Sequence, residues 1–106
     1  MALKPLVFQV LLTLADGERH GWSLVREIQQ RGDFDTIMPG NFYRTLRGML
    51  AEGLIEEAAP RGKDDAERRR YFRLTAAGSA AAMAEAKRLE SLVAESRAKK
   101  LLTKRG

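Results

Sequence analysis

The sequence contains no cysteine and a single histidine among its 106 residues. Without cysteine the chain can form neither disulfides nor thiolate metal sites, and one histidine excludes a multi-histidine metal site. Neither common glycine-rich phosphate-binding loop is present. The sequence places no carboxylate or second nucleophile beside His20, so that residue is expected at the surface or at a helix cap. We therefore predict that the protein is not an enzyme and needs no metal or other cofactor.

Long hydrophobic runs are also missing. The apolar stretch of residues 5–15 is too short to span a bilayer, and no charged segment with a small-residue cleavage site precedes it. We expect a cytoplasmic protein without a membrane partner. A chain of 11.9 kDa forms one small domain, which buries only about 60% of its unfolded surface, so a partner subunit would add stability.

Basic residues outnumber acidic ones. Lys plus Arg is 19 and Asp plus Glu is 14, which gives a formal net charge of +5 and a pI near 10.0. This excess favours a polyanionic partner such as double-stranded DNA.

Residues 39–55 combine a helix start, two contrasting faces and a helix stop. Pro39 suits the first helical position and Gly53 the position after the last. A core face is predicted for Phe42, Leu46, Met49 and Leu50. The opposite face is small or polar, as a helix in a DNA major groove requires; its candidate DNA-binding residues are Asn41, Tyr43, Arg44, Thr45 and Arg47. Taken alone, the stretch also fits an amphipathic helix with solvated arginines.

Two helices are predicted before this one. Residues 5–15 are apolar almost all round, which indicates either a dimer interface that includes Leu6 and Val10 or a tightly covered core helix. Residues 20–31 form an amphipathic helix that would brace the DNA-binding helix, as in a helix-turn-helix. Trp22 is a core or rim residue, or it lines a ligand pocket with Phe8 for an aromatic or cationic effector.

A basic hairpin is predicted after the DNA-binding helix. Residues 54–58 and 69–74 have strand character, and in the second strand Phe72 and Leu74 alternate with Tyr71 and Arg73. The intervening residues are polar and contain Pro and Gly, as a hairpin tip does. Such a slender basic hairpin suits a wing along the phosphate backbone, whereas a solvated loop with local ion pairs is the alternative. The candidate DNA-binding residues of the wing are Arg61, Lys63, Arg68, Arg69 and Arg70.

The chain ends in an alanine-rich segment with high helix propensity. Thr75 is its predicted N-cap, and the helix would run from Ala76 to about residue 100. A thin apolar seam at helical spacing predicts a twofold partner. The expected dimer contacts on this helix are Met83, Ala86, Leu89, Leu92 and Val93.

Three motifs in this order and spacing resemble the PadR family of bacterial transcriptional regulators. They are LADGERHGW at residues 14–22, PGNFYR with EGLIE between residues 39 and 56, and RYFRLTAAG at residues 70–78. The resemblance implies a winged helix-turn-helix homodimer that binds a palindromic operator and usually represses, with most dimer contacts on the C-terminal helix. The short C-terminus resembles the compact branch of the family, which has one such helix. Gly48 stands where a basic residue is usual, which shifts the expected affinity toward the wing.

These observations together predict a mainly α fold with a small β-hairpin. Residues 1–74 would form the winged helix-turn-helix domain, and residues 75–106 the dimerisation helix with a basic tail. The expected function is sequence-specific DNA binding as a homodimeric transcriptional regulator. The family resemblance implies that it represses transcription, and a ligand response is expected at a pocket formed by Phe8 and Trp22. A winged-helix module that binds protein instead of DNA is the alternative.

Overall fold

The fold is mainly helical with one small sheet, as the sequence predicts. A computed structural model describes residues 2–32, 38–58 and 70–102. Within these ranges it contains α1 (Pro5–Leu14), β1 (Arg19–His20), α2 (Gly21–Gln30), α3 (Pro39–Ala51), β2 (Ile55–Ala58), β3 (Tyr71–Leu74) and α4 (Ala76–Ala98). None of the helices in the described part of the chain has the length and apolar character needed to cross a membrane.

The sheet has three antiparallel strands in the order β1-β3-β2. β2 and β3 are the two strands of the predicted hairpin, and Ile55 lies opposite Leu74 while Glu57 lies opposite Phe72. β1 was not predicted, because its second residue, His20, falls within the helix predicted for residues 20–31. A two-residue strand carries no alternation of its own, and it forms here because it pairs with β3.

The core lies between α1, α2, α3 and the sheet. The predicted core face of α3 is confirmed, since Phe42, Leu46 and Met49 are almost fully buried and Leu50 packs against them partly buried. The other buried apolar residues of this cluster are Val10, Leu11, Leu14, Leu24, Ile28, Ile55 and Phe72.

The structure corrects the assignment of Val10 to a dimer interface. Its side chain has no exposed surface within the single chain, because α1 packs against α2, α3, α4 and β3. Even the polar residues of α1 are enclosed. Thr13 Oγ1 donates to the carbonyl oxygen of Gln9 at 2.8 Å, and the Gln9 side-chain oxygen accepts from Arg31 at 2.7 Å. The C-terminal half of α1 is therefore mostly a covered core helix.

α4 extends well beyond the domain on which its first turns pack. At about 1.5 Å per residue its 23 residues span about 35 Å. The predicted cap is confirmed, because the Thr75 hydroxyl accepts from the Gly78 N–H at 3.0 Å. Gly78 and Glu85 are the buried residues of the helix, both in its first half. Its second half leaves Leu92 and Val93 exposed, at 51% and 38%.

Candidate nucleic-acid interface

α3 buries one face in the core and turns the other to solvent. Pro39 lies in its first turn, and Gly53 with a φ of +77° follows its end, so the predicted helix boundaries are confirmed. Asn41, Arg44 and Arg47 are exposed on the outer face, whereas Thr45 is half-buried at its edge. Because the opposite side of α3 is packed in the core, the position of this outer face is fixed relative to the rest of the domain.

Arg44 and Arg47 are free cations within the described residues, where neither makes an ion pair or hydrogen bond. Arg19 and Arg73, in contrast, are paired with carboxylates. Arg19 binds Asp16 and Glu27, and Arg73 binds Glu56 at 2.8 Å. The positive charge of α3 is therefore available to an anion from outside the chain.

One flank of α3 meets the base of the hairpin. Tyr43 and Arg47 line a cleft of about 70 Å³ together with Arg70 and Phe72. The Arg70 guanidinium lies 5.6 Å from the centre of the Phe72 ring, at a distance typical of a cation–π contact. This packing brings α3 and Arg70, which directly precedes β3, onto one surface.

Arg70 also carries an ion pair across the hairpin. Its Nη2 donates to Glu57 Oε2 at 2.5 Å, and this hydrogen bond lowers the pKa of Glu57 below its ordinary value. Part of the positive charge at the hairpin base is thus offset locally. The alternative of local ion pairs applies to this residue, and the four other basic residues assigned to the wing lie outside the described part of the chain: Arg61, Lys63, Arg68 and Arg69.

Tyr43 connects α3 to the start of α2. Its side chain is 50% exposed, packs edge-on against Phe42 with ring centres 5.8 Å apart, and lies beside Gly21 at the start of α2. His20 caps that same helix, because its Nδ1 accepts from the Ser23 N–H at 3.3 Å. The predicted bracing of α3 by the preceding helix therefore includes a direct contact at the start of α2.

The other flank of α3 borders a groove of about 700 Å³ that was not predicted from the sequence. Its far wall is the N-terminal segment, which we define as residues 2–7, and its α3 wall includes Asn41, Arg44, Thr45 and Gly48. The two walls are far apart in the chain. No periodicity or motif within either of them predicts that they meet.

The predicted ligand-pocket residues do not line this groove. Phe8 is half-buried, and Trp22 is 68% exposed, so the interpretation of Trp22 as a core residue was wrong. It projects from the first turn of α2, whose buried positions are Leu24 and Ile28. A pocket formed by Phe8 and Trp22 stays a prediction.

The predicted dimer residues other than Val10 retain accessible surface. Met83 is 62% exposed, Ala86 is exposed and Leu89 is half-buried on α4, while Leu6 is half-buried near the start of α1. With Leu92 and Val93, the α4 residues of this set form apolar surface that the single chain does not fully cover.

Comparison with known proteins places this architecture in a family. The model of the PadR-like family of transcriptional regulators matches residues 10–84. Transcriptional regulator Rv3488 of Mycobacterium tuberculosis is 35% identical over 86 residues, which are 81% of this chain and 77% of that protein.

Solved structures agree with the fold. A PadR family transcription regulator of Clostridium difficile superposes with a TM-score of 0.78 at 17% identity, covering 89% of this chain and 96% of its own. A Streptococcus transcriptional regulator gives a TM-score of 0.76 at 26% identity, covering 90% and 91%. These relatives regulate transcription and are not enzymes, which confirms the prediction that this protein is not one. The chain belongs to the PadR-like family of transcriptional regulators.

Proposed function

We propose that the protein binds double-stranded DNA as a homodimer, with α3 in the major groove, and represses transcription from a palindromic operator. The observation that carries the proposal is the outer face of α3. Arg44 and Arg47 project there without an acidic partner among the described residues, from a helix whose other face is buried core.

The geometry of the DNA major groove suggests different roles for the residues on the outer face of α3. A B-DNA major groove admits one α-helix, and Arg is the residue that most often contacts guanine through two hydrogen bonds. Arg44 lies near the centre of the outer face and is the candidate for that contact. Arg47 and Tyr43 lie toward the hairpin, whereas Asn41 and Thr45 lie toward the N-terminal segment.

The hairpin would act as the wing. Residues between β2 and β3 carry most of its positive charge, and Arg70 at its base lines the cleft next to Arg47. Phosphate contacts of this kind fix orientation and raise affinity for every sequence. We assign residues 1–74 to this DNA-binding domain.

Residues 75–106 would supply the dimer contacts. The exposed apolar side chains of α4 are suited to pack against the same helix of a second copy, with Leu6 at the edge. Twofold symmetry would place two copies of α3 in successive major grooves about 34 Å apart, which requires a palindromic site. As a transcriptional regulator the dimer would act in the cytoplasm.

An aromatic or cationic effector would enter near Phe8 and Trp22. Trp22 is the single tryptophan of the chain and is largely exposed, so a ligand stacked on it would change its fluorescence. Titration of a panel of aromatic cations tests this part of the proposal independently of DNA.

The main test is selection of bound duplexes from random DNA with the full chain, followed by gel-shift titration of the selected site. We expect a palindromic consensus and a midpoint at least 10³-fold below that of scrambled DNA, the usual lower range for specific binding. A winged-helix module that binds only protein would shift no duplex even at low salt, and that result would overturn the proposal.

A further inference from the structure

The N-terminal segment lies beside the DNA-binding face, on the flank of α3 opposite the wing. The α3 residues that border its groove include Asn41, Arg44, Thr45 and Gly48, whereas those that border the hairpin cleft include Tyr43 and Arg47. The outer face of α3 is therefore flanked by two different parts of the chain.

Lys4 is the cation of this segment. It is exposed, and within the described residues its side chain makes neither an ion pair nor a hydrogen bond. As N-cap of α1 it contributes only its backbone, because the carbonyl oxygen accepts from the Phe8 N–H at 3.1 Å while the side chain makes no capping bond. Its ammonium group is thus free to bind an anion at the mouth of the groove.

A buried carboxylate holds the segment in place. Glu85 of α4 is 4% exposed, and its Oε1 accepts from the backbone N–H of Leu3 at 3.3 Å. Arg88 donates to both oxygens of the same carboxylate, at 3.0 and 2.6 Å. The residue directly before Lys4 is therefore tied to the C-terminal helix, which limits where the Lys4 side chain can reach.

We propose that Lys4 contacts the DNA phosphate backbone on the side of the major groove opposite the wing, and that Glu85 is the positioning residue for this contact. The proposal rests on the proposed function. A helix in the major groove has a phosphate backbone on each side, and Lys4 on one flank of α3 with the basic hairpin on the other matches that arrangement. Glu52 borders the groove near the end of α3, and its carboxylate repels anions. An anion would therefore bind in the part of the groove near Lys4 and Arg44.

The first experiment measures the salt dependence of operator binding for wild type and Lys4→Ala. Each lost phosphate contact reduces the log–log slope by about 0.9, so a dimer that loses two should show a slope smaller by about 1.8. Lys87→Ala is the matched control. Lys87 is an exposed lysine of α4, about 200° around the helix from Glu85, and its removal should leave the slope unchanged.

The second experiment tests positioning with a double-mutant cycle. Glu85→Leu removes the acceptor for Leu3, so adding Lys4→Ala in that background should cause no further change of slope. Glu85→Gln keeps an oxygen that can accept from Leu3, so in that background Lys4→Ala should retain its full effect. If Glu85→Leu unfolds the chain by circular dichroism, Glu85→Ala takes its place in the cycle.

The outcomes separate this inference from the function on which it rests. A wild-type chain that shifts no duplex overturns both. A wild type that binds its operator while Lys4→Ala shows the same slope overturns the Lys4 contact alone. Equal effects of Lys4→Ala in the wild-type and Glu85→Leu backgrounds overturn the positioning role of Glu85.

Discussion

The α-carbon of Gly78, in the first turn of α4, lies so close to the carbonyl oxygen of Leu54 that a Cβ atom at this position would overlap it. The same carbonyl accepts from the Thr75 N–H at 3.2 Å, and the Thr75 hydroxyl donates to the Gly53 oxygen at 2.5 Å. The turn that ends α3 is thus fixed directly to the start of α4.

Gly78→Ala should therefore destabilise the fold. The clash is with backbone, which cannot move aside as a flexible side chain can, and overpacking of this kind costs about 3 kcal/mol. Gly48→Ala is the matched control, because nothing lies within 4 Å of a Cβ there and alanine favours a helix by up to about 1 kcal/mol. Urea denaturation measures both. A Gly78→Ala chain as stable as wild type would contradict the close contact.

Local signals in the sequence predicted the helices and the hairpin well. Pro39 and Gly53 bracket α3, Thr75 caps α4, and the alternation around Phe72 identifies β3. Each of these features depends on residues within one or two turns of each other. The family resemblance then supplied the order in which the elements pack.

Features that depend on distant contacts were not predictable in this way. Val10 is apolar like an interface residue, and only the packing of four other elements around α1 makes it core. Trp22 is large and apolar yet projects outward. The groove beside α3 exists because the N-terminal segment reaches Glu85, 82 positions from Leu3 in the chain. No local pattern contains that information.

Arg44 should determine sequence specificity. If it contacts one guanine through two hydrogen bonds, Arg44→Ala lowers operator affinity by about 1–3 kcal/mol and relaxes preference at one base pair of each half-site. Arg44→Lys keeps the charge but loses the planar pair of donors, so it should keep the salt slope and lose the preference. Binding to a panel of single-base operator variants measures this. If Arg44→Ala keeps the wild-type preference across the operator variants, Arg44 does not take part in base recognition.

Glu57 should weaken DNA binding through Arg70. Glu57→Gln removes the carboxylate that binds Arg70, so the guanidinium becomes available to phosphate and affinity rises for all sequences. Both groups are about half exposed, and such a pair is worth at most about 1 kcal/mol, or about fivefold in affinity. Glu56→Gln is the control, because Glu56 binds Arg73 from the other face of the hairpin. Equal gains in DNA affinity for Glu57→Gln and Glu56→Gln would show that the effect comes from net charge and not from release of Arg70.

Glu85 should make stability depend on pH. Hydrogen bonds from Arg88 and then from the Leu3 N–H lower the pKa of Glu85 below its ordinary value of 4.5. The folded chain therefore favours the ionised form, and the stabilisation is fully present above the ordinary pKa and is lost as pH falls through the lower, folded value. Wild type should melt at a higher temperature than Glu85→Gln at neutral pH, and the difference should shrink in acid. Glu95→Gln, an exposed change on the same helix, should show no such convergence.

Substitution of Val93 tests whether α4 mediates dimerisation. It lies on the predicted seam and is 38% exposed in the single chain, so a charge there leaves the core intact but would be buried without a partner in a symmetric interface. Val93→Glu should convert the proposed dimer to a folded monomer in sedimentation equilibrium. Ser91→Glu places the same charge on the opposite side of α4, about 160° away, and should remain dimeric. Because one domain contacts only one half-site, the Val93→Glu monomer should also lose most of its operator affinity while keeping its helical circular dichroism. A Val93→Glu chain that remains a dimer would place the interface elsewhere, with the exposed start of α1 as the next region to vary.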